Sequence, residues 1–150
     1  MINVLYIDDE PHNLVSFRAS FRRNFNIYTA DSAVEGTRIL ANKEIHVILS
    51  DQRMPKITGI EFFESILHIY PDPIRILVTG YTDINAVIDA INRGQVYKYL
   101  MKPWNEIDIT NFIETAYEVY RLRKDNVELT RKLLDANAKL EFLARQCLLS

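Results

Sequence analysis

The sequence contains a single cysteine, Cys147, and has no long apolar run. One cysteine excludes an internal disulfide framework and a zinc site rich in cysteine. No run approaches the roughly 18 apolar residues that a membrane-spanning helix needs. The N-terminal segment MINVLYIDDE becomes acidic before the pattern of a signal peptide develops. We therefore expect a soluble protein of the cytoplasm.

An excess of charge of one sign is also missing. The chain has 18 Lys and Arg residues against 20 Asp and Glu residues, a formal net charge of -2. This balance argues against a basic groove for nucleic acid in these residues, although an attached output domain could supply one. The three histidines, His12, His46 and His68, do not have the spacing of metal ligands. A chain of 150 residues, 48% of them hydrophobic, is long enough for one well-cored domain.

Short apolar runs alternate with segments of helical periodicity along the first two thirds of the chain. The predicted strands are Val4–Ile7, Asn26–Thr29, Val47–Ser50, Ile74–Val78 and Val96–Leu100. Helices are predicted to open near Pro11, at Ser32, at Gly59 and after Asp83, the third of them reaching about Ile69. Strands that alternate with helices pair in parallel through right-handed crossovers. The pattern therefore predicts an α/β fold, a five-stranded parallel sheet with helices on both faces.

Polar residues follow four of the predicted strands where each strand ends. Asp8 and Asp9 follow the first strand, Asp51 the third, Thr79 the fourth and Lys102 the fifth. The carboxyl ends of parallel strands meet at one edge of the sheet, so these side chains should lie together. Three crowded carboxylates repel each other unless a cation lies between them, and Mg²⁺ suits such oxygen ligands.

A lysine and a hydroxyl group beside that cation complete a site for the oxygens of a phosphoryl group. Asp51 would then be the nucleophile, and it would form an acyl phosphate. Taken singly, each residue has a simpler interpretation. Asp8 or Asp9 could cap the helix that opens at Pro11, Thr79 could fill a strand, and Lys102 could be a surface charge. The conjunction of all five residues favours the phosphoryl site.

Four segments carry a resemblance to a known family: YIDDE, SDQRMPKITGIEFF, ILVTGYTD and YKYLMKPW. Over roughly Asn3 to Tyr120 the chain resembles the receiver domain of two-component response regulators. The resemblance implies a flavodoxin-like fold with strand order 2-1-3-4-5. It also implies that a sensor histidine kinase or a phosphotransfer protein phosphorylates Asp51. Within the family, the TGYTD and KPW variants look most like receivers of nitrogen- or hydrogenase-type transcription activators or of cyclic-dinucleotide phosphohydrolases.

The resemblance implies a role for each residue of the site. Asp9 and Asp51 would bind Mg²⁺ directly, Asp8 largely through water, and Arg53 through its main-chain carbonyl. Thr79 and Lys102 would bind the phosphoryl oxygens. Tyr99 would be the aromatic switch of a signalling face formed by the fourth helix, fifth strand and fifth helix, and the Lys102–Pro103 peptide bond would be cis.

Arg53 and Tyr81 stand at positions that vary in the family, and we expect them to shield the acyl phosphate from water. A different class of function is a Mg²⁺-dependent phosphohydrolase with an aspartyl-phosphate intermediate. Such an enzyme needs a lid over its substrate and a second acid for the leaving group. The sequence shows neither, so we expect a switch that is not an enzyme beyond forming and losing its own acyl phosphate.

The pattern changes after Tyr120, where charge becomes dense and proline and glycine cease. We therefore expect a receiver domain at 1–120 and a helical extension at 121–150. Leucines recur in a heptad pattern in which Val119 takes position a, and four heptads predict a coiled coil that joins two copies of the chain. The alternative is an amphipathic helix folded back on its own receiver. The sequence ends in mid-heptad, which leaves open a longer regulator with an output domain beyond residue 150.

Overall fold

The computed structural model describes residues 1–93 and 95–149, with Tyr81 described by its backbone alone. Strands and helices alternate along the chain as the sequence predicts. The strands are β1 (Asn3–Ile7), β2 (Asn26–Ala30), β3 (Val47–Asp51), β4 (Ile74–Thr79) and β5 (Lys98–Met101). The helices are α1 (Pro11–Phe21), α2 (Ala33–Asn42), α3 (Gly59–Ile66), α4 (Ile84–Asn92) and α5 (Glu106–Leu149). A single 3-10 turn, Tyr81–Asp83, precedes α4.

The five strands form one parallel sheet in the order β2-β1-β3-β4-β5, which confirms the predicted fold and strand order. β1 lies between β2 and β3, and β4 lies between β3 and β5. The register places Asp51 beside Val78 and Thr79 beside Met101. The ends of β3, β4 and β5 are therefore level with each other at one edge of the sheet.

Two apolar layers cover the sheet, because alternate side chains of a strand point to opposite faces. One layer packs strand residues against α1 and α5, and includes Tyr6, Leu49, Val78, Phe17 and Ile113. The other packs strand residues against α2, α3 and α4, and includes Ile7, Ile48, Leu77, Phe62 and Val87. Each large apolar side chain buried in this way stabilises the fold by about 1.5–3 kcal/mol.

Two boundaries differ from the prediction by more than one residue, and one predicted cap is not made. The third helix ends at Ile66 rather than Ile69, although the N–H of Tyr70 still donates to the carbonyl of Ile66 in the following turn at 2.7 Å. The last strand begins at Lys98 rather than Val96. Asp83 stands at the N-cap of α4, but its side chain makes no capping hydrogen bond to that helix.

The last helix, α5, is one continuous helix of 44 residues. Ile109, Ile113, Ala116 and Tyr120 are buried against the sheet, whereas residues 121–149 are all exposed. The fold-back alternative is therefore wrong, because the helix does not reverse. A long helix is present as expected, and the coiled coil itself stays a prediction. None of the helices in the described ranges combines the length and the apolar character needed to cross a membrane.

Candidate functional site

Three carboxylates converge at the carboxyl edge of the sheet. Asp8 and Asp9 directly follow β1, and Asp51 is the last residue of the adjacent strand β3. Each offers one oxygen, and these oxygens all lie within 4.8 Å of one another. Hard oxygen donors at this spacing fit a small divalent cation such as Mg²⁺. The structure thus brings together the three acids whose positions after the predicted strands indicated a shared site.

The carboxylate of Asp8 is fully buried and held by three donors. The hydroxyl of Tyr6 donates to it at 2.8 Å, the side-chain amide of Asn13 at 2.9 Å, and the N–H of Glu10 at 2.9 Å. Burial raises the pKa of the Tyr6 phenol well above its usual value, and the neighbouring charge of Asp8 raises it further. Tyr6 therefore stays protonated and keeps donating to Asp8.

Asp51 pairs with the ammonium group of Lys102. The Lys102 Nζ atom lies 3.1 Å from Asp51 Oδ2, and the Asp51 side chain is 11% exposed. Burial raises the pKa of Asp51 and the charge of Asp8 adds to this, whereas Lys102 and the backbone N–H of Arg53 oppose it. The backbone of Lys102 is fixed as well, because its N–H donates to the Thr79 carbonyl at 3.0 Å. The peptide bond from Lys102 to Pro103 is cis, as the resemblance implied.

Thr79 and Tyr99 occupy neighbouring strands beside this pair. Thr79 ends β4 and is buried, and its hydroxyl donates to the carbonyl of Gly80 at 3.2 Å. Tyr99 lies in β5 opposite Leu77 and is half-buried against the apolar layer on the side of α3 and α4. The two residues are thus placed between the carboxyl edge and the face of α4 and β5.

The side chain of Arg53 joins the loop after β3 to the start of α4. Its guanidinium donates to the Thr82 hydroxyl at 2.7 Å and to Asp83 Oδ2 at 3.1 Å. The carboxylate of Asp83 therefore binds Arg53 instead of capping its own helix. Tyr81, the second residue of the expected water gate, has a side chain that lies outside the described part of the chain.

The site also contains residues that the sequence did not predict. Tyr6 and Asn13 orient Asp8, and the buried side chain of Gln52 accepts a hydrogen bond from the N–H of Ile60 at 3.0 Å. Trp104 packs edge-on to Tyr6 with ring centroids 6.3 Å apart. Tyr6 stands two residues before Asp8, on the same side of the strand, and this spacing is the signal that could have found it.

The histidines do not take part in the site. His12 and His68 are exposed. His46 precedes β3, at the opposite edge of the sheet, where its Nδ1 atom accepts a hydrogen bond from the N–H of Asn3 at 2.9 Å.

Comparison of the sequence with known proteins identifies a family and several relatives. The sequence matches the family model of the response regulator receiver domain over residues 4–114. It is 33% identical over 147 residues to the hydrogenase transcriptional regulatory protein HoxA of Cupriavidus necator, a match that covers 98% of this chain and 30% of that protein. A second HoxA, from Bradyrhizobium diazoefficiens, is 30% identical over 122 residues, or 81% of this chain and 25% of that protein. The chain thus spans about a quarter to a third of the length of these relatives.

Solved structures share the fold. A response regulator receiver domain protein from Clostridium thermocellum superimposes with a TM-score of 0.77 at 30% identity, covering 81% of this chain and 98% of that one. An adenylate cyclase structure from Rhodopirellula baltica superimposes with a TM-score of 0.84 at 28% identity, covering 87% of this chain and 97% of that chain.

Proposed function

Because the chain belongs to the response regulator receiver domain family, we propose that it is a signalling switch phosphorylated on Asp51 by a sensor histidine kinase or a phosphotransfer protein. Phosphorylation-dependent signalling is general in this family. The observation that carries the assignment to Asp51 is the convergence of three carboxylates within 4.8 Å, with Lys102 3.1 Å from Asp51. A cytoplasmic location, where such kinases phosphorylate their partners, is part of the proposal.

In the proposed reaction a carboxylate oxygen of Asp51 attacks the phosphorus atom of a phosphohistidine. The new P–O bond forms as the P–N bond breaks, and the electron pair leaves with the imidazole of the donor. Burial raises the pKa of Asp51, and the adjacent ammonium of Lys102 works against that rise. Lys102 thereby keeps the nucleophile charged, and it then binds an oxygen of the phosphoryl group.

Receiver domains bind Mg²⁺ at an acidic pocket, and the donor set here fits that ion. Asp9, Asp51 and the main-chain carbonyl of Arg53 would hold it directly. Both oxygens of Asp8 already accept hydrogen bonds, which supports a role for Asp8 through water. When bound, the ion would neutralise charge on the phosphoryl oxygens.

The signal is proposed to pass through Thr79 and Tyr99. The Thr79 hydroxyl donates to the neighbouring carbonyl of Gly80 at 3.2 Å, so it can turn toward a phosphoryl oxygen at little cost. Tyr99 is half-buried and would fill the space that Thr79 leaves. A phosphoryl group that binds better to one of two existing states shifts the population toward it, and the face of α4, β5 and α5 changes.

The chain is proposed to have two parts, a receiver at 1–120 and an extension at 121–150 that joins two copies. A lone helix of this length is marginal in water without packing. Leu122, Leu129, Leu133, Leu140 and Leu143 form the a and d seam of the extension and are 58–64% exposed within one chain. Asn126 at an a position favours a parallel pair. The HoxA relatives are longer than this chain, so an output domain after the extension is also part of the proposal.

Phosphorylation with a small donor tests the assignment. Incubation with acetyl phosphate and Mg²⁺ should add one phosphoryl group, detected by intact mass, and Asp51→Asn should abolish it. Asp31→Asn is a matched control, because Asp31 is an exposed acid at the end of the neighbouring strand β2. Asp9→Ala should need more Mg²⁺ for the same labelling. Labelling that persists in Asp51→Asn would refute the proposal.

A further inference from the structure

From Val127 onward, most charged side chains of the extension lie on one side of the helix. Between Val127 and Leu148, heptad positions c, f and g carry six of the seven charges, and Glu141 at b carries the seventh. Positions d, a, e and b form what we call the apolar face, which also includes Thr130 and Asn137 at e and Glu141 at b. Its large side chains are Leu129, Leu133, Leu140 and Leu143 at a and d, and Val127, Leu134 and Leu148 at b.

The charged side is already paired within each chain. Lys132 lies 3.4 Å from Glu128, and Arg131 lies 3.6 Å from Asp135. These i,i+4 pairs join positions g, c and f. Between Val127 and Leu148 no e position carries a charge, so a parallel two-stranded coiled coil would form no ion pair between g and e of its partners. The e positions between Val127 and Leu148 therefore lack the charges that usually flank the seam of a two-stranded coiled coil.

The apolar face is too wide for one partner helix. At about 100° per residue, positions d to b span about 160° of the helix surface. A two-stranded coiled coil needs only the narrow stripe of a and d, whereas helices of a bundle use about three of seven positions. A pair formed through a and d would leave Val127, Leu134 and Leu148, which are 71%, 63% and 87% exposed, in water.

We propose that four copies of this chain assemble through the apolar face into a four-helix bundle made of two parallel pairs. The inference rests on the pairing of the extension in the proposed function and adds a second seam to it. Positions a from 126 to 147 hold Asn126, Leu133, Leu140 and Cys147. β-branched residues at a are the feature that favours two strands, and these positions lack it. Asn126, at the first of these a positions, is polar and lies at the end of the bundle nearest the receivers.

Two matched variants distinguish the contacts made at the b positions, which form the second seam, from those made at a and d, which form the first. Leu134→Lys places a charge at b on the apolar face, and Phe142→Lys places the same charge at c on the opposite side. The two side chains are equally exposed in one chain, at 63% and 61%. Neither residue contacts the receiver, so each variant should keep Mg²⁺-dependent phosphorylation of Asp51. Leu133→Lys at a should break both seams.

Sedimentation equilibrium of the intact, unphosphorylated chain gives the test. We expect four chain masses for the wild type and for Phe142→Lys, two for Leu134→Lys, and one for Leu133→Lys. A wild type that stays at two chain masses as concentration rises would overturn the bundle and leave the proposed pairing intact. A wild type that stays at one chain mass would overturn both. A Leu134→Lys variant that keeps four chain masses would also overturn the bundle.

Discussion

Asp51 and Arg53 lie two residues apart, but the side chain of Asp51 is buried and that of Arg53 is exposed. The side chain of Asp51 is 11% exposed and that of Arg53 is 72% exposed. The ion pair between Arg53 and Asp83 is therefore a surface pair, and such pairs contribute about 0–1 kcal/mol. Arg53 can change partners when the charge on Asp51 changes. Its present bonds keep a long cation between the loops that follow β3 and β4.

The lifetime of the acyl phosphate should depend on Arg53. Replacing Arg53 and Tyr81 together with alanine should speed the loss of phosphate severalfold, because water reaches the acyl phosphate more easily past small side chains. The decay of phosphorylated protein after removal of the donor measures this by intact mass. Arg38→Ala is the control, since Arg38 is 69% exposed, pairs with Glu35 and lies in α2. A decay rate equal to that of the wild type would show that the two residues do not gate water.

Sequence alone could place the charged residues of the site but could not provide their contacts. Asp8, Asp9, Asp51 and Lys102 were predictable as neighbours because each follows or ends a strand, and parallel strands end at one edge. The hydrogen bond of Asn13 to Asp8 depends on the exact distance between β1 and α1. The pairing of Arg53 with Asp83 depends on where the 3-10 turn places α4. Spacing along the chain does not encode either distance.

At the scale of the elements, the start of α3 fixes the main chain of Asp51. Gly59 opens α3, and a Cβ atom there would lie 2.6 Å from the carbonyl oxygen of Asp51 and 2.7 Å from Leu77 Cδ1. The N–H of Gly59 donates to the Gln52 carbonyl and the N–H of Ile60 to the Gln52 side chain, both at 3.0 Å, so α3 cannot easily shift away from the end of β3. The contact brings helix and strand end together at the nucleophile. Gly80, beside Thr79, has open space instead, with nothing within 4 Å of an added Cβ.

Substitution of these glycines should therefore have unequal effects. Gly59→Ala should lower the free energy of unfolding by about 1–3 kcal/mol, because backbone atoms must move to admit the methyl group. It should also slow phosphorylation of Asp51, whose carbonyl is the atom displaced. Gly80→Ala should change the free energy of unfolding by less than about 0.5 kcal/mol. Urea denaturation and acetyl phosphate labelling measure the two effects. Equal stability of the two variants would show that α3 does not hold Asp51.

Element boundaries were predictable wherever burial and hydrogen bonding agree. Val96 is buried and apolar, yet β5 begins only at Lys98. The N–H of Tyr97 already donates to the Arg75 carbonyl of β4 at 2.8 Å, so the chain joins the sheet just before the regular pairing begins, and an apolar run does not resolve that difference. The continuous course of α5 was predictable because no proline or glycine interrupts residues 104–149.

At the scale of the whole molecule, α5 leaves the receiver at the edge of the sheet opposite the carboxylates. There the ring of His46 packs against the rings of Tyr117 and Tyr120, with centroids 5.1 Å and 4.9 Å away. The N–H of Asn3 at the start of β1 donates to His46 Nδ1. Lys124, in the next turn of α5, pairs with Asp72 at 2.7 Å. These contacts tie the base of the receiver to the helix that carries the extension.

This junction should make the stability of the receiver depend on pH through His46. Burial lowers the pKa of His46 below its ordinary value of 6.5, so the folded protein favours the neutral ring. Its contribution to stability is fully present above about pH 6.5. As the pH falls below that value, the unfolded chain takes up the proton first, and the free energy of unfolding decreases until the folded ring is protonated too. Protonation at Nδ1 would also remove the hydrogen bond from Asn3.

The measurement compares urea denaturation at about pH 7 and pH 5.5, on either side of the ordinary histidine pKa. Carboxylates also titrate toward the lower pH, so the difference between variants isolates the histidine. His46→Gln should lose less stability on acidification than the wild type, because an amide can keep a hydrogen bond without taking up a proton. His68→Gln is the matched control, since His68 is exposed, and it should lose as much as the wild type. If His46→Gln and the wild type lose the same stability over this range, the pH dependence does not come from protonation of His46.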